Sequence, residues 1–353
     1  MMLFNESQLI EEEIIDGKES NRTKIIYKIF KILSLYFCIL IIFQSKKIYR
    51  DQFYVNLDQN IFVKEDNNIK VALCTMGKYE NFYANEFVEY YIKLGIDHLY
   101  IYDDNEPNTE KISDAIDSKY KSKVTIYENI KDTIKNQSDA FNDCYQKNIN
   151  VYDWFLMVDM DEFLFIVNDN LKSYLSSKTF DKCDFIKFHW ATSTDNDLIY
   201  YDPRPLFERF KPPYVREIII KSIVRGKIYD MRYWVHSPYI SPKRNVTCNN
   251  IGDILDISKN LNFESIVNIN VEKAFIIHHR FKSTEEFIQK YKRGYSNWFG
   301  EGINWFLRNN LRLYLNINKL TWEKINYIGK ELNLFLLNYR IKYIIGKIFF
   351  MNY

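Results

Sequence analysis

Two carboxylates one residue apart, Asp159 and Asp161, follow the apolar run from Trp154 to Val158. Residues i and i+2 of a strand share a face, so the spacing predicts that both acids meet one point where the chain leaves a sheet. Hard divalent cations such as Mn²⁺ or Mg²⁺ take oxygen ligands of this kind and bridge them to a diphosphate. A second acid pair, Asp195 and Asp197, lies in a loop-like stretch and reads on its own as a solvated turn. The adjacent His278 and His279 close another apolar run. They are either a surface pair at a strand end or a source of one nitrogen ligand for a metal already held by two aspartates.

The surrounding periodicity supplies the frame. Val71 to Met76 reads as a buried strand, followed by a helix with Tyr83, Phe87, Tyr90, Tyr91 and Leu94 on one face and Gly95 placed to stop it. His98 to Asp104, Val124 to Glu128 and Trp154 to Val158 read as further strands, with a short helix over 109–117 and a longer one over 137–148. This alternation predicts an α/β domain with a largely parallel sheet. Ligands of such sheets bind beyond the carboxyl ends of the strands, where Thr75, Asp103, Asp104, Asp159 and Asp161 stand. Further strands are expected over 185–190, 217–224 and 274–278. A capping pattern from Ser283 to Glu286 opens a helix.

A formal net charge of +2 gives no global field for nucleic acid. None of the five cysteines forms a C-x-x-C pair, which argues against a zinc ribbon. One disulfide is open to the chain in an oxidising lumen, with no partners assigned. The uncharged run from Ile32 to Phe43, extended back to Ile25, approaches the roughly 20 residues that span a bilayer; a buried or interfacial helix is the alternative. The expected organisation is an N-terminal tail over 1–24, a transmembrane anchor over 25–45, a stem over 46–68, the α/β domain over 69–300 and a C-terminal helical extension over 301–353.

Several ordered motifs then resemble a known family. Glu80, Tyr83, Glu86 and Phe87 lead into the block from Leu94 to Asp103, and Gln137 with Ala140 precedes the acidic run from Asp159 to Leu164. Glu208-Arg209-Phe210, Lys221 to Arg225, and Val235-His236 follow, and the stretch from Ile277 to Phe287 with Arg293-Gly294 closes the series. In these residues, from about Val71 to Asn297, the chain resembles glycosyltransferase family 92 and related family-2-like proteins. The resemblance implies a GT-A (Rossmann-like) fold, a uridine diphosphate sugar as donor, a hexose such as galactose transferred with inversion to a glycan or glycoprotein, and Mn²⁺ or Mg²⁺ as cofactor. It places Asp159 and Asp161 on the metal and diphosphate, His279 on the family's recurring histidine, and Asp103 against the nucleoside. Thr75, Lys78, Glu80, Lys221, His236 and Arg293 complete the expected donor site. Inversion requires a carboxylate base, for which Asp195, Asp197 and Glu208 remain open. The chain departs from the family at Tyr79, where asparagine is usual, at His278-His279-Arg280, where Asn-His-Tyr is usual, and at Gly226, where proline is frequent. A non-catalytic glycan- or nucleotide-binding relative is the alternative. The expected setting is a single-pass protein of the Golgi or another secretory compartment, its domain in the lumen.

Overall fold

The computed structural model describes residues 52–57, 68–239, 246–255, 271–292 and 310–331. These fall into two compact units, a larger one within 52–283 and a smaller one from residue 284 onward. The expected anchor and Arg293 lie outside the described residues. Among the described residues, no helix is long and apolar enough to cross a membrane.

The larger unit is a mixed α/β structure. Its strands are β1 (Gln52–Phe53), β2 (Val71–Gly77), β3 (His98–Asp103), β4 (Val124–Tyr127), β5 (Trp154–Met157), β6 (Glu162–Ile166), β7 (Phe185–Ser193), β8 (Tyr214–Arg225), β9 (Arg232–Tyr233), β10 (Pro238–Tyr239), β11 (Thr247–Asn249) and β12 (Ala274–His278). Ten of them form one sheet with the central order β4-β3-β2-β5-β8-β7-β12-β6, and β9 and β10 form a separate hairpin. The first four positions are parallel, as the alternation predicts. Beyond β5 the direction mixes: β8 is antiparallel to β5 and β7, β12 runs parallel to β7, and β6 runs antiparallel to β12. The carboxyl ends of β2, β5, β7 and β12 therefore share one edge with the start of β6.

Helix α1 (Asn81–Leu94) buries Tyr83, Phe87, Tyr91 and Leu94, and Gly95 ends it at φ 112°, a left-handed conformation that glycine adopts without strain. The hydroxyl of Tyr91 donates to the Glu162 carbonyl at 2.8 Å and accepts from Leu164 N–H at 3.0 Å, tying this helix to the first residues of β6. Helix α2 (Gln137–Asn148) is capped by Asn136, whose side chain accepts from Asp139 N–H. Short helices α3 (Leu171–Leu175) and α4 (Leu206–Arg209) join later strands. The helix expected over 109–117 is reduced to one 3₁₀ turn at Ile112–Ala115, where Asp103 and Asp114 carboxylates take the backbone N–H groups of Ile112 and Lys111.

The stretch expected to be an aperiodic stem contributes β1, which pairs with Tyr214 and Val215 while Phe53 packs edge-on against Phe275 at 5.3 Å. Two disulfides join Cys74 to Cys144 and Cys183 to Cys248, one more than the sequence reading allowed for. The first links β2 to α2. Gly226 has a steric reason: a Cβ there would lie 2.2 Å from the Tyr152 carbonyl oxygen. In the smaller unit, α5 (Thr284–Lys292), α6 (Arg312–Ile317) and a helical stretch over 322–331 are described. There Phe287 stacks on Tyr314 at 4.4 Å and Thr284 shares a hydrogen bond with the Tyr314 hydroxyl.

Candidate active site

The strand order reverses between β2 and β5. From β2 the chain winds outward through β3 to β4, then returns to place β5 on the other side of β2. A crevice at the carboxyl ends of two such strands is where doubly wound sheets take ligands. Here it is bordered by Thr75 to Lys78 on one side and by the acidic turn on the other.

Asp159 and Asp161 occupy a tight turn between β5 and β6, not the strand face that their spacing predicts; the Glu162 N–H closes it on the Asp159 carbonyl at 3.1 Å. Met160 is buried and explains the turn's seating. A Cβ on Gly77 would come within 2.3 Å of the Met160 sulfur, so glycine at the end of β2 makes room for it. With Met160 driven into the core, the two acids are held on either side of it.

Asp159 faces Lys221 on β8. The Lys221 ammonium is fully buried and donates to Asp159 Oδ1 at 2.8 Å and to the Val235 carbonyl at 3.0 Å, with Glu162 Oε2 at 3.6 Å. Gln137, the first residue of α2, donates to the same Asp159 oxygen. Burial pulls the Lys221 pKa down, but Asp159 and Glu162 together push it above its ordinary value. Burial first, then Asp159, hold the Glu162 carboxyl well above the usual carboxylate range. Glu162 Oε2 accepts from Asp159 N–H at 3.0 Å, while its buried Oε1 has no hydrogen-bond partner. Lys221 therefore balances this side of the turn from within and is not open to a ligand, as the donor-site expectation required.

Asp161 faces His278. His278 Nε2 lies 3.5 Å from Asp161 Oδ1, and its ring packs 4.2 Å from that of Trp190. The sequence expectation gave the nitrogen ligand to His279, but alternation at the end of β12 separates the two rings. The His279 ring lies among Phe163, Phe207 and Phe210, and its Nδ1 shares a hydrogen bond with Ser193 Oγ. Burial lowers its pKa to about 3, so it is a neutral core imidazole at physiological pH. Its backbone N–H donates to the Asp161 carbonyl at 2.9 Å, and its buried Nε2 has no hydrogen-bond partner.

The other expected donor-site residues divide. Thr75 Oγ1 is buried without a hydrogen-bond partner. Both Asp103 oxygens accept backbone N–H groups, from Asn105 and Ile112 at 2.8 Å each, so the carboxylate shapes its own loop and faces inward. Lys78 lies 3.6 Å from Asp104, whose pKa burial raises. Glu80 is buried against Lys282 at 2.9 Å, and Tyr79 beside it holds φ 55°. His236 packs 5.3 Å from Trp190, and burial lowers its pKa to about 3. Of the base candidates, Asp195 is buried and accepts from Asp197 N–H at 3.0 Å, while Asp197 and Glu208 are exposed. Sequence reasoning gave no role to Gln137, Glu162 or Trp190, although the first two stand inside the motifs it used.

Two carboxylates and an imidazole, with the unpartnered Glu162 oxygen behind them, match the donor chemistry that Mn²⁺ accepts. Among the described residues, however, no three His, Cys, Asp or Glu side chains converge closely enough to hold an ion as they stand.

The mixed α/β sheet and its winding order are compatible with a Rossmann-like domain. Residues 67–313 match the profile of glycosyltransferase family 92, and the chain belongs to that family. One relative is a glycosyltransferase family 92 protein of Ricinus communis, 27% identical over 94 residues. The matched stretch is 27% of this chain and 17% of that protein, so the chain spans under a fifth of the relative's length.

Proposed function

We propose that this chain is a metal-dependent glycosyltransferase of the GT-A type that moves a hexose, with galactose the first candidate, from a uridine diphosphate sugar to a glycan acceptor with inversion. The observation that carries this reading is the acidic turn at the sheet's reversal point, with Asp159 held by Lys221 and Gln137 and Asp161 held by His278. Asp159, Asp161 and His278 are the residues that would hold Mn²⁺ or Mg²⁺. Bound there, the cation would neutralise the charge that develops on the leaving diphosphate. The protein's own part is orientation. Met160 seats the turn and Lys221 fixes Asp159 from behind, while burial of Asp161 strengthens its interaction with a charged ligand. The segment that carries Asp195, Asp197 and Glu208 runs from the end of β7 to the start of β8 at the same edge, so all three stay candidates for the base. Two buried disulfides support folding in an oxidising, secretory compartment. The segment over 25–45 is the proposed tether.

The test is a uridine diphosphate sugar panel with Mn²⁺, with and without chelator. Asp159→Asn and Asp161→Asn should each lower transfer by about a hundredfold or more; circular dichroism checks that both variants fold, with Asp159→Asn melting lower because Lys221 loses its buried partner. Full activity in excess chelator, or in either variant, would overturn the reading.

A further inference from the structure

The hairpin of β9 and β10 carries a side chain that the site described so far does not use. Trp234 begins the turn between the two strands, its N–H bonded to the Ser237 carbonyl at 3.0 Å, and it is 58% exposed. Leaving so large an apolar ring in water forgoes the burial that tryptophan ordinarily gains. The backbone that presents it is fixed from three sides. Asn142 of α2 accepts from Tyr233 N–H at 2.7 Å and donates to its carbonyl at 2.9 Å. The Tyr233 hydroxyl donates to the His236 carbonyl at 3.2 Å. Lys221 donates to the carbonyl of Val235, the next residue, and with the same ammonium grips Asp159. One residue thus separates an exposed indole from a hydrogen-bonded path into the acidic turn.

We infer that Trp234 is the stacking platform for a pyranose ring of the acceptor, an inference that rests on the transferase reading above. The axial C–H groups on one face of a β-galactoside or β-glucoside form an apolar patch with slight positive charge, complementary to the negative face of an indole. The donor sugar must lie against Asp159 and Asp161, so a solvent-exposed ring on the hairpin whose Val235 carbonyl binds Lys221 serves the partner that arrives from solvent. A platform held by backbone hydrogen bonds is ready before the acceptor binds, which lowers the ordering cost of association.

The experiment uses the full chain, wild type and the variants Trp234→Ala, Trp234→Phe and Tyr229→Ala, with methyl β-galactoside and methyl β-glucoside as acceptor probes. Tyr229 is also exposed, but it hydrogen-bonds Asn150, ahead of β5 at the opposite edge of the sheet, and serves as the control. Trp234→Ala should raise the acceptor KM about tenfold, the equivalent of one stacked ring, with the donor KM moving less than twofold. Trp234→Phe should recover most of that loss, and Tyr229→Ala should change neither constant. An unchanged acceptor KM in Trp234→Ala, or equal rises in both constants, overturns the inference. A second readout is independent of turnover: the indole N–H resonance that Trp234→Phe removes should shift when methyl β-galactoside is titrated into wild type. If wild type releases no uridine diphosphate from any donor, the transferase reading fails. The resonance then still decides the platform, and a shift with anionic vesicles but not with glycoside counts against it.

Discussion

Replacing Lys221 by methionine keeps most of the side-chain volume and removes the charge, so it isolates what the buried ammonium does. Lys221 has no exposed surface and stands 2.8 Å from Asp159 and 3.6 Å from Glu162. Deleting one partner of a buried ion pair costs about 3–5 kcal/mol, because the other charge is left uncompensated. For a domain of this size each kcal/mol moves the thermal midpoint by about 2–4 °C, so Lys221→Met should melt roughly 6–20 °C below wild type. Adding Glu162→Gln removes one of the two stranded acids and should recover part of the deficit, whereas two independent losses would add. The assay is differential scanning calorimetry at pH 7.5 on wild type, both single variants and the double variant, with uridine diphosphate release followed in parallel. Lys221→Met within 2 °C of wild type would refute the claim that Lys221 balances the turn. So would a double variant no more stable than Lys221→Met.

Three further outcomes follow from the same geometry. His278→Ala should weaken Mn²⁺ activation by roughly 10–100-fold, whereas His279→Ala should act through the core, lowering the midpoint while changing the Mn²⁺ concentration for half-activation little; a metal titration of both variants separates them. Tyr79→Asn should raise the midpoint by a few degrees, because a left-handed backbone costs a bulky residue roughly 1–2 kcal/mol and asparagine tolerates it better; no change in thermal denaturation would count against strain at φ 55°. Burial raises the Glu86 pKa above its ordinary 4.5. As pH falls through that raised value toward 4.5, the folded state takes up a proton that the unfolded state still lacks, so stability rises. Wild type should gain on Glu86→Gln between pH 7 and about 5 in urea titrations; a constant difference would contradict the shift.

The parallel half of the fold was legible because its signals are local. Apolar runs, helical spacing and Gly95 set β2, α1, β3 and β5 to within a residue or two. The site was legible only as residue types. Which histidine stands beside Asp161 depends on the register of β12 against β6, where His278 lies opposite Glu162, and that pairing joins segments over a hundred residues apart. The strand face assumed for Asp159 and Asp161 failed because Met160 is drawn into the space left by Gly77, a contact with no local signature. The lost helix over 109–117 yielded to carboxylates that took its backbone N–H groups, a competition that helical spacing alone does not register.

The two sulfur bridges also set an order of events during biosynthesis. Cys74, Cys144 and Cys248 have no exposed surface and Cys183 has 1%, so a folded domain offers an oxidase nothing to reach. Thiolates must be accessible to exchange, which means that both pairs join while the chain is still open. Cys74 lies one residue before Thr75, and its partner sits in the helix that begins with Gln137. Oxidation therefore registers the floor of the crevice against the helix that steadies Asp159 before the sheet closes over them. A chain translated in a reducing cytosol passes that moment with free thiols, and must open again before they can be oxidised.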